Sequence, residues 1–278
     1  GAKTFLFCQK LRSVTIPNSV KVIRKKAFRF CVKLASITIP GSVEEIEDEA
    51  FCSCHALTSI TIPGNVRSLG ANAFAGCYKL AEIRVVGEGG NFIVVDGVLF
   101  DKDMARLLTC SREKSGSYEI PRTVKAIDKY AFTACAKLTS ITIPDSFTEV
   151  VSWVFDDCSR LEAFMIPNSV TSIGAWALSG YSSLTTINIP NSVTSIGEFA
   201  FSYCESLASI AIPNSVVSID DNAFSHCNAL ASITLPESVQ FIFRYLFDEC
   251  FSLESIFVPK GFTCPPNAFP EEVAINRY

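Results

Sequence analysis

A proline recurs along this chain at a nearly constant interval of 23 residues, and this repeat constrains the fold more than any other feature. Ten of the thirteen prolines follow an isoleucine, leucine or valine on this lattice, at Pro17, Pro40, Pro63, Pro121, Pro144, Pro167, Pro190, Pro213, Pro236 and Pro259. One step is 58 residues long, which is 23 plus 35, and Val86 takes the missing proline position. A leucine stands six residues before each site except Pro121, where Ser115 takes its place. A repeat of this kind indicates a stack of about eleven similar coils.

Each coil contains one segment with the pattern of a half-buried strand. Residues 209–212 alternate polar and apolar side chains, and Pro213 then ends the strand because proline has no amide hydrogen to donate. Val216 and Ile219 are expected to turn back toward the core. A single coil cannot bury this apolar set alone, so neighbouring coils must stack. The sequence therefore predicts one β-rich solenoid over residues 1–278, with one parallel sheet of about eleven strands, in place of the two domains that the length suggests.

Composition excludes several classes of protein. The chain is 49% hydrophobic and 19% charged, which excludes a disordered chain. Lys and Arg number 24 against 28 Asp and Glu, so no basic excess favours nucleic acid as a partner. No apolar run approaches the length of about 18 residues that a membrane span needs.

The repeat resembles that of the BspA-type bacterial leucine-rich repeat family, whose unit has 23 residues. Residues 184–203, LTTINIPNSVTSIGEFAFSY, could stand as a consensus of that family. The resemblance implies a right-handed coil stack, and a secreted or surface-attached protein that acts through protein contacts in adhesion. A longer parent sequence is then expected to supply the signal peptide or the anchor, since none is found here.

Residues 87–117 depart from the repeat. Residues 92–95, 98–100 and 105–110 are predicted to be three short strands of an inserted β-meander, with turns between them. The insert either replaces half of one coil or roofs a neighbouring face as part of a binding site, because repeat insertions often mark the binding side. Residues 260–278 also leave the lattice, and we expect them to cap the stack.

Nine of the twelve cysteines share one position of the repeat: Cys8, Cys31, Cys54, Cys77, Cys135, Cys158, Cys204, Cys227 and Cys250. This cysteine column predicts buried, unbridged thiols, because a continuous ladder offers no unique pairing and Tyr181 replaces the thiol once. Whether Cys52, Cys110 and Cys264 are bridged stays open, and their spacing fits no zinc pattern.

The sequence holds no set of residues that predicts catalysis, a metal site or a cofactor. His55 and His226 each lie beside a cysteine of the column, but on opposite sides of it, and no third group is placed to orient them. We interpret both as histidines of surface turns. The glycines at 87, 89 and 90 form no phosphate loop, because no Lys-Ser or Lys-Thr follows them.

Two columns of side chains are predicted to point outward from the sheet, and most of their members carry hydroxyl groups. Glu82, Arg84, Glu119 and Met165 interrupt them near the insert. We expect these four residues to form a protein-binding site. The alternative is an ordinary solvated face on which Arg84 and Glu119 make an exposed ion pair of under about 1 kcal/mol.

A third column, two residues before each repeated phenylalanine, contains four consecutive aromatic residues: Tyr130, Trp153, Trp176 and Phe199. Their rings either stabilise each other by stacking or form an exposed platform for a sugar. A fourth pattern is electrostatic. Residues 24–26 are basic, residues 47–49 are acidic, and the 23-residue repeat predicts that the three opposite charges face each other.

The leading functional hypothesis is a non-enzymatic, extracellular or cell-surface module that binds a protein partner. The first alternative is a carbohydrate-binding module that uses the aromatic column, and the second is a structural spacer in a longer protein.

Overall fold

A computed structural model describes residues 1–87, 89–150, 154, 158–263 and 267–278. The chain forms a β-solenoid of about eleven turns, and the described residues contain no helix. Each turn contributes a main strand, a short strand or both.

The main strands precede the repeated proline position. They are β3 (Ser59–Pro63), β5 (Glu82–Val86), β9 (Ser115–Glu119), β11 (Lys137–Thr142), β13 (Ala163–Met165), β15 (Thr186–Asn188), β17 (Ser209–Ala211), β19 (Ser232–Thr234) and β21 (Ser255–Val258). The short strands follow the proline position. They are β1 (Val22–Ile23), β2 (Glu45–Ile46), β4 (Ser68–Leu69), β10 (Ala126–Ile127), β12 (Glu149–Val150), β14 (Ser172–Ile173), β16 (Ser195–Ile196), β18 (Ser218–Ile219) and β20 (Phe241–Ile242). The insert holds β6 (Phe92–Val95), β7 (Val98–Asp101) and β8 (Arg106–Cys110), and β22 (Ala274–Arg277) comes last.

Contacts divide the chain into two compact units. The first unit comprises residues 1–114 and 123–135, and the second comprises residues 115–122 and 136–278. In the first unit the strand orders are β1-β2-β4, β3-β5 and β10-β8-β7-β6. In the second unit they are β17-β15-β13-β11-β9, β12-β14-β16-β18-β20 and β19-β21-β22.

The prediction of one continuous sheet of about eleven strands is wrong. Within the described residues the main strands form sheets of two and five strands and a sheet of three strands that includes β22, and at the main-strand position Thr15 and Thr38 form only an isolated bridge. The physical reason is the length of the strands, since several have only three residues. Such strands share few ladder hydrogen bonds, so a small separation between two coils ends the pairing while their apolar side chains remain packed.

The core consists of columns of like residues. Main-strand residues such as Ile141 and Phe164 point inward, and their sequence neighbours point outward. Phenylalanines of successive coils stack with ring centroids 5.1 to 5.7 Å apart, as in Phe28 on Phe51 and Phe201 on Phe224. This packing is what the 23-residue repeat predicts, because equivalent residues of adjacent coils must be neighbours.

Each corner of the repeat depends on residues in the left-handed backbone region. The residue two before the repeated phenylalanine and the residue two after it have φ near +60° in most coils. Asn72 and Gly76 suit this conformation, whereas Trp176, Phe199 and Tyr203 are bulky residues that rarely adopt it. The aromatic column of the sequence is therefore also a column of left-handed corner residues.

Candidate functional site

Strands β9, β11, β13, β15 and β17 form one sheet of the second unit and present an outward face. Thr142 lies opposite Glu119 on one side and Met165 on the other, and Met165 lies opposite Asn188. A step of 23 residues therefore places Glu119, Thr142, Met165 and Asn188 in one outward column of the second unit. We call this surface the sheet face, and its other outward column contains Ser117, Ser140, Ala163, Thr186 and Ser209.

Met165 is the largest apolar side chain on the sheet face. It is 57% exposed, while Phe164 beside it is buried in the core. Its neighbours across the strands, Thr142 and Asn188, are polar and exposed. An exposed thioether among polar groups is a flexible apolar contact, because methionine adapts its three rotatable bonds to different partners.

Glu82 and Arg84 belong to the first unit. They lie on β5, opposite Ser59 and Thr61 of β3, and both are exposed. The Arg84 guanidinium donates to the Glu82 carboxylate on the same strand. Glu82 is within reach of Arg84 because alternate residues of one strand share a face. The pair of Arg84 with Glu119 stays a prediction. A pair this exposed contributes under about 1 kcal/mol.

The aromatic column is described in part. Tyr130 lies in the first unit and is half-buried, and Trp153 lies outside the described residues. In the second unit Trp176 and Phe199 stack with centroids 4.0 Å apart and an interplanar angle of 21°. The inner faces of these two rings therefore cover each other.

The insert is joined to the core of the first unit. β6 and β8 both pair antiparallel with β7, and β8 pairs parallel with the short strand β10. Leu99, Phe100 and Leu107 are fully buried. β8 thus occupies the place beside β10 that a short strand of a regular coil would fill.

An ion pair holds the insert against two coils. Arg106 donates from Nε to Asp128 Oδ1 at 2.8 Å and from Nη1 to the Leu69 carbonyl at 3.0 Å. The amide of Asn72 donates to Asp128 Oδ2 at 3.0 Å. The Asp128 side chain is only 8% exposed. Burial of its negative charge is costly, and the ion pair with Arg106 and the hydrogen bond from the Asn72 amide offset that cost.

The cysteine column is confirmed as free thiols, which are buried except at Cys8. Six thiols of the cysteine column donate to the backbone carbonyl of the residue 26 positions earlier, for example Cys54 to Phe28 at 3.2 Å. They are the thiols at positions 31, 54, 77, 204, 227 and 250. Burial raises the pKa of Cys77 and of Cys204 to about 12. Such thiols are poor nucleophiles at neutral pH.

Of the cysteines outside the column, Cys52 and Cys110 are also free and buried, and Cys264 lies outside the described residues. Cys110 makes a side-chain hydrogen bond with Cys135, which together with burial raises the pKa of Cys135. The insert therefore brings a thiol next to the column that the repeat did not predict.

Neither histidine belongs to a catalytic arrangement in the described residues. His55 packs on Tyr78, and its burial lowers its pKa. His226 stacks on Tyr203 at 4.1 Å, and its Nε2 lies 3.1 Å from Glu249 Oε2. Both histidines are half-buried rather than freely exposed. Within the described part of the chain, no cluster of three or more His, Cys, Asp or Glu residues could hold a metal ion.

The predicted charge register is confirmed. Residues 24–26 pair in order with residues 47–49, at 2.9 Å for Arg24 with Glu47, 3.1 Å for Lys25 with Asp48 and 3.4 Å for Lys26 with Glu49. The hydrogen bond from Lys25, helped by the amide of Ala71, lowers the pKa of Asp48.

The position that directly precedes each cysteine of the cysteine column was not singled out from the sequence. Tyr203, His226 and Glu249 hold this position in successive coils of the second unit, all with positive φ. Gly76 and Gly180 at the same position were the only sequence signal, because glycine marks a left-handed backbone.

Comparison with protein families gives one match that spans nearly the whole chain. A model described as the BspA type leucine rich repeat region matches residues 1–92, 110–209 and 179–276, in six copies. A comparison with curated proteins gives no match. No helix among the described residues is long and apolar enough to cross a membrane.

Solved structures of three bacterial proteins are similar. A leucine rich cell surface protein from Faecalibacterium prausnitzii is 29% identical with a TM-score of 0.68, over 100% of this chain and 75% of that protein. The pneumococcal vaccine antigen PcpA is 26% identical with a TM-score of 0.67, over 96% of this chain and 63% of PcpA, so this chain spans less than two thirds of that relative. A leucine-rich repeat protein from Bacteroides ovatus is 26% identical with a TM-score of 0.53, over 100% of this chain and 80% of that protein.

Proposed function

Because this chain belongs to the BspA-type leucine-rich repeat family of bacterial cell-surface proteins, we propose that it is a non-enzymatic module that binds another protein outside the bacterial cell. The cell-surface name of the F. prausnitzii relative supports this location. The sheet face is the binding surface in this proposal, and adhesion is its biological role.

The observation that carries the proposal is Met165 at 57% exposure on a sheet face whose other outward side chains are polar or alanine. Protein interfaces combine a small apolar centre, often with methionine or aromatic residues, and a polar rim. Thr142 and Asn188 flank Met165 and supply such a rim, and Glu119 lies two strands away in the same column. Phe257 continues the column on β21 with a second exposed apolar side chain.

The first unit carries an exposed charged pair of its own, which is a separate feature from the sheet face of the second unit. Glu82 and Arg84 present a carboxylate and a guanidinium side by side on β5. Both can reach a partner, since each is more than half exposed. Exposed charges of this kind steer association and choose between partners more than they add affinity.

A glycan-binding role for the aromatic column has weaker support. Trp176 and Phe199 cover one face of each other, while a sugar would need an open ring face. A structural spacer would have no use for an exposed Met165, since a solvated hydroxyl face would suffice.

The test is a binding screen of the full chain against a panel of purified extracellular and cell-surface proteins, followed by the variant Met165→Lys. The matched control is Phe251→Lys, which changes an apolar residue of the same unit that is 80% exposed and lies at a corner. We expect Met165→Lys to weaken binding of the selected partner about tenfold or more, and Phe251→Lys to leave it unchanged.

Circular dichroism and the melting temperature of each variant establish that both are folded. A screen with no partner would overturn the proposal in favour of the spacer. A partner whose affinity falls with Phe251→Lys and not with Met165→Lys would move the binding surface to the corner.

A further inference from the structure

A seam divides the outward main strands of the second unit. β17 is hydrogen-bonded to β15 and β19 to β21, but within the described residues β17 and β19 do not pair. The amide of Ala208 donates to the Thr185 carbonyl at 3.3 Å and that of Glu254 to the Ala231 carbonyl at 2.9 Å. The equivalent bond from the Ala231 amide to the Ala208 carbonyl is absent among the described residues. The backbone ladder of the described main strands is therefore interrupted between β17 and β19.

A pocket of about 370 Å³ lies on this seam. Ile210 and Ile233 lie along its floor with their side chains turned into the core, and Ala211 is its exposed apolar side chain on β17. Side chains with hydroxyl or amide groups surround the floor: Ser209, Asn214, Ser232 and Thr234. This volume falls within the range of known small-molecule sites, about 300 to 1,000 Å³.

Tyr278 forms one wall of the pocket. Its hydroxyl donates to the Leu235 carbonyl at 3.0 Å, and its backbone amide donates to the Val258 carbonyl at 3.1 Å. The Lys260 amide donates to the Tyr278 carbonyl at 3.1 Å. Three hydrogen bonds fix the ring in position while about half of the residue, 48%, stays exposed. A wall fixed before binding loses little conformational entropy when a ligand arrives.

The lining defines the chemistry of the ligand. None of the lining side chains is charged. A charged ligand would therefore lose part of its hydration without gaining an oppositely charged partner. Hydroxyl side chains both donate and accept, which matches ligand groups that do the same. The tyrosine ring and the methyl group of Ala211 match an apolar C–H face. A pyranose ring combines an apolar face with a rim of hydroxyls.

We infer that this pocket, the seam pocket, binds a neutral sugar residue of a glycan. The ring of Tyr278 packs on the sugar face, and Ser232 and Asn214 bind its hydroxyls. This site is separate from the aromatic column, and it stands independently of protein binding at Met165.

The test uses neutral trisaccharides of glucose, mannose, galactose and N-acetylglucosamine as probes, with binding measured by calorimetry on the full chain. A trigalacturonate and an uncharged hexapeptide are the two comparison ligands. We expect at least one neutral trisaccharide to bind with a Kd of about 1 mM or below. Tyr278→Ala should weaken that binding about tenfold, since it removes the packed ring. Tyr278→Phe, which keeps the ring, should retain most of it.

Ser232→Ala is a second variant that leaves the chain termini untouched, and it should also weaken binding several-fold. The matched control is Tyr203→Ala, which removes an exposed aromatic side chain at a corner of the same unit and should change nothing. Absence of binding by every neutral trisaccharide at about 10 mM would overturn the inference. Binding of only the trigalacturonate or only the peptide would overturn it as well, and so would a sugar affinity that neither Tyr278→Ala nor Ser232→Ala changes.

Discussion

Raising the pH should destabilise the protein through its buried thiols. Cys77 in the first unit and Cys204 in the second have pKa values that burial raises to about 12. A thiol in an unfolded chain has a pKa of about 8.5. Between these two values the unfolded chain loses a proton that the folded chain keeps. The stability that each thiol contributes is therefore fully present below pH 8.5 and is lost as the pH rises toward 12.

The size of the effect follows from the two pKa values. Between pH 8 and pH 10 the unfolded thiol changes from mostly protonated to almost fully ionised, while the folded thiol stays protonated. Linkage then gives a loss of about 2 kcal/mol for each thiol, and about 4 kcal/mol for Cys77 and Cys204 together. This loss is a large part of an ordinary stability of about 5 to 15 kcal/mol.

The assay compares urea unfolding of the wild type and of the variant Cys77→Ser/Cys204→Ser at pH 8 and pH 10, in a reducing buffer. Serine does not titrate in this range, and its hydroxyl can still donate to the carbonyls that these thiols reach, those of Phe51 and Leu178. Lysine and tyrosine ionisation is common to both proteins and cancels in the comparison. The free energy of unfolding should fall by about 4 kcal/mol less in the variant. An identical fall in both proteins would refute the reasoning.

Three further predictions test other contacts. Replacement of residues 24–26 by glutamate places six acidic side chains on adjacent coils. The melting temperature should therefore drop at low salt and recover at high salt, and an unchanged melting temperature at low salt would contradict the observed pairing. Arg106→Ala leaves the Asp128 carboxylate buried and unpaired, and should lower the free energy of unfolding by about 3 to 5 kcal/mol, while the exposed control Lys125→Ala should have little effect. Burial, with the neighbouring Asp221, raises the pKa of Asp220, so its ionised form destabilises the fold. Asp220→Asn should therefore raise the melting temperature at pH 7, and the gain should shrink as the pH falls through the raised pKa and vanish below about 3.9, the pKa of an unfolded aspartate; a constant gain at all pH values would contradict this prediction.

The repeat made neighbours in adjacent coils predictable. Successive coils stack, so residues 23 positions apart become neighbours. This step alone predicts that Lys25 pairs with Asp48 and that Met165 lies opposite Thr142. The free thiols followed as well, because a column of equivalent cysteines has no unique partner.

Features that break the repeat were not predictable from its period. Gly116, and not Ser115, lies opposite Leu138, because a register shift follows Leu138. Arg106 reaches Asp128 and the Leu69 carbonyl, at separations of 22 and 37 residues that the repeat does not contain.

The left-handed corners and the divided sheets escaped prediction for another reason. The two left-handed corner positions accept residues as different as Asn, Trp and Phe at one and Gly, Ser and Tyr at the other, so neither has a shared chemical pattern. The seam between β17 and β19 depends on a small separation of two coils with ordinary sequences. Packing in three dimensions determines both features.

Site-specific photo-crosslinking tests the central claim, protein recognition by the sheet face, most directly. A benzophenone amino acid replaces Met165 or Asn188 on the sheet face, or Tyr203 or Phe251 at the corners, and each full chain is irradiated with the partner selected in the screen. We expect covalent adducts from positions 165 and 188 and none from positions 203 and 251. Adducts from the corner positions alone would contradict recognition by the sheet face.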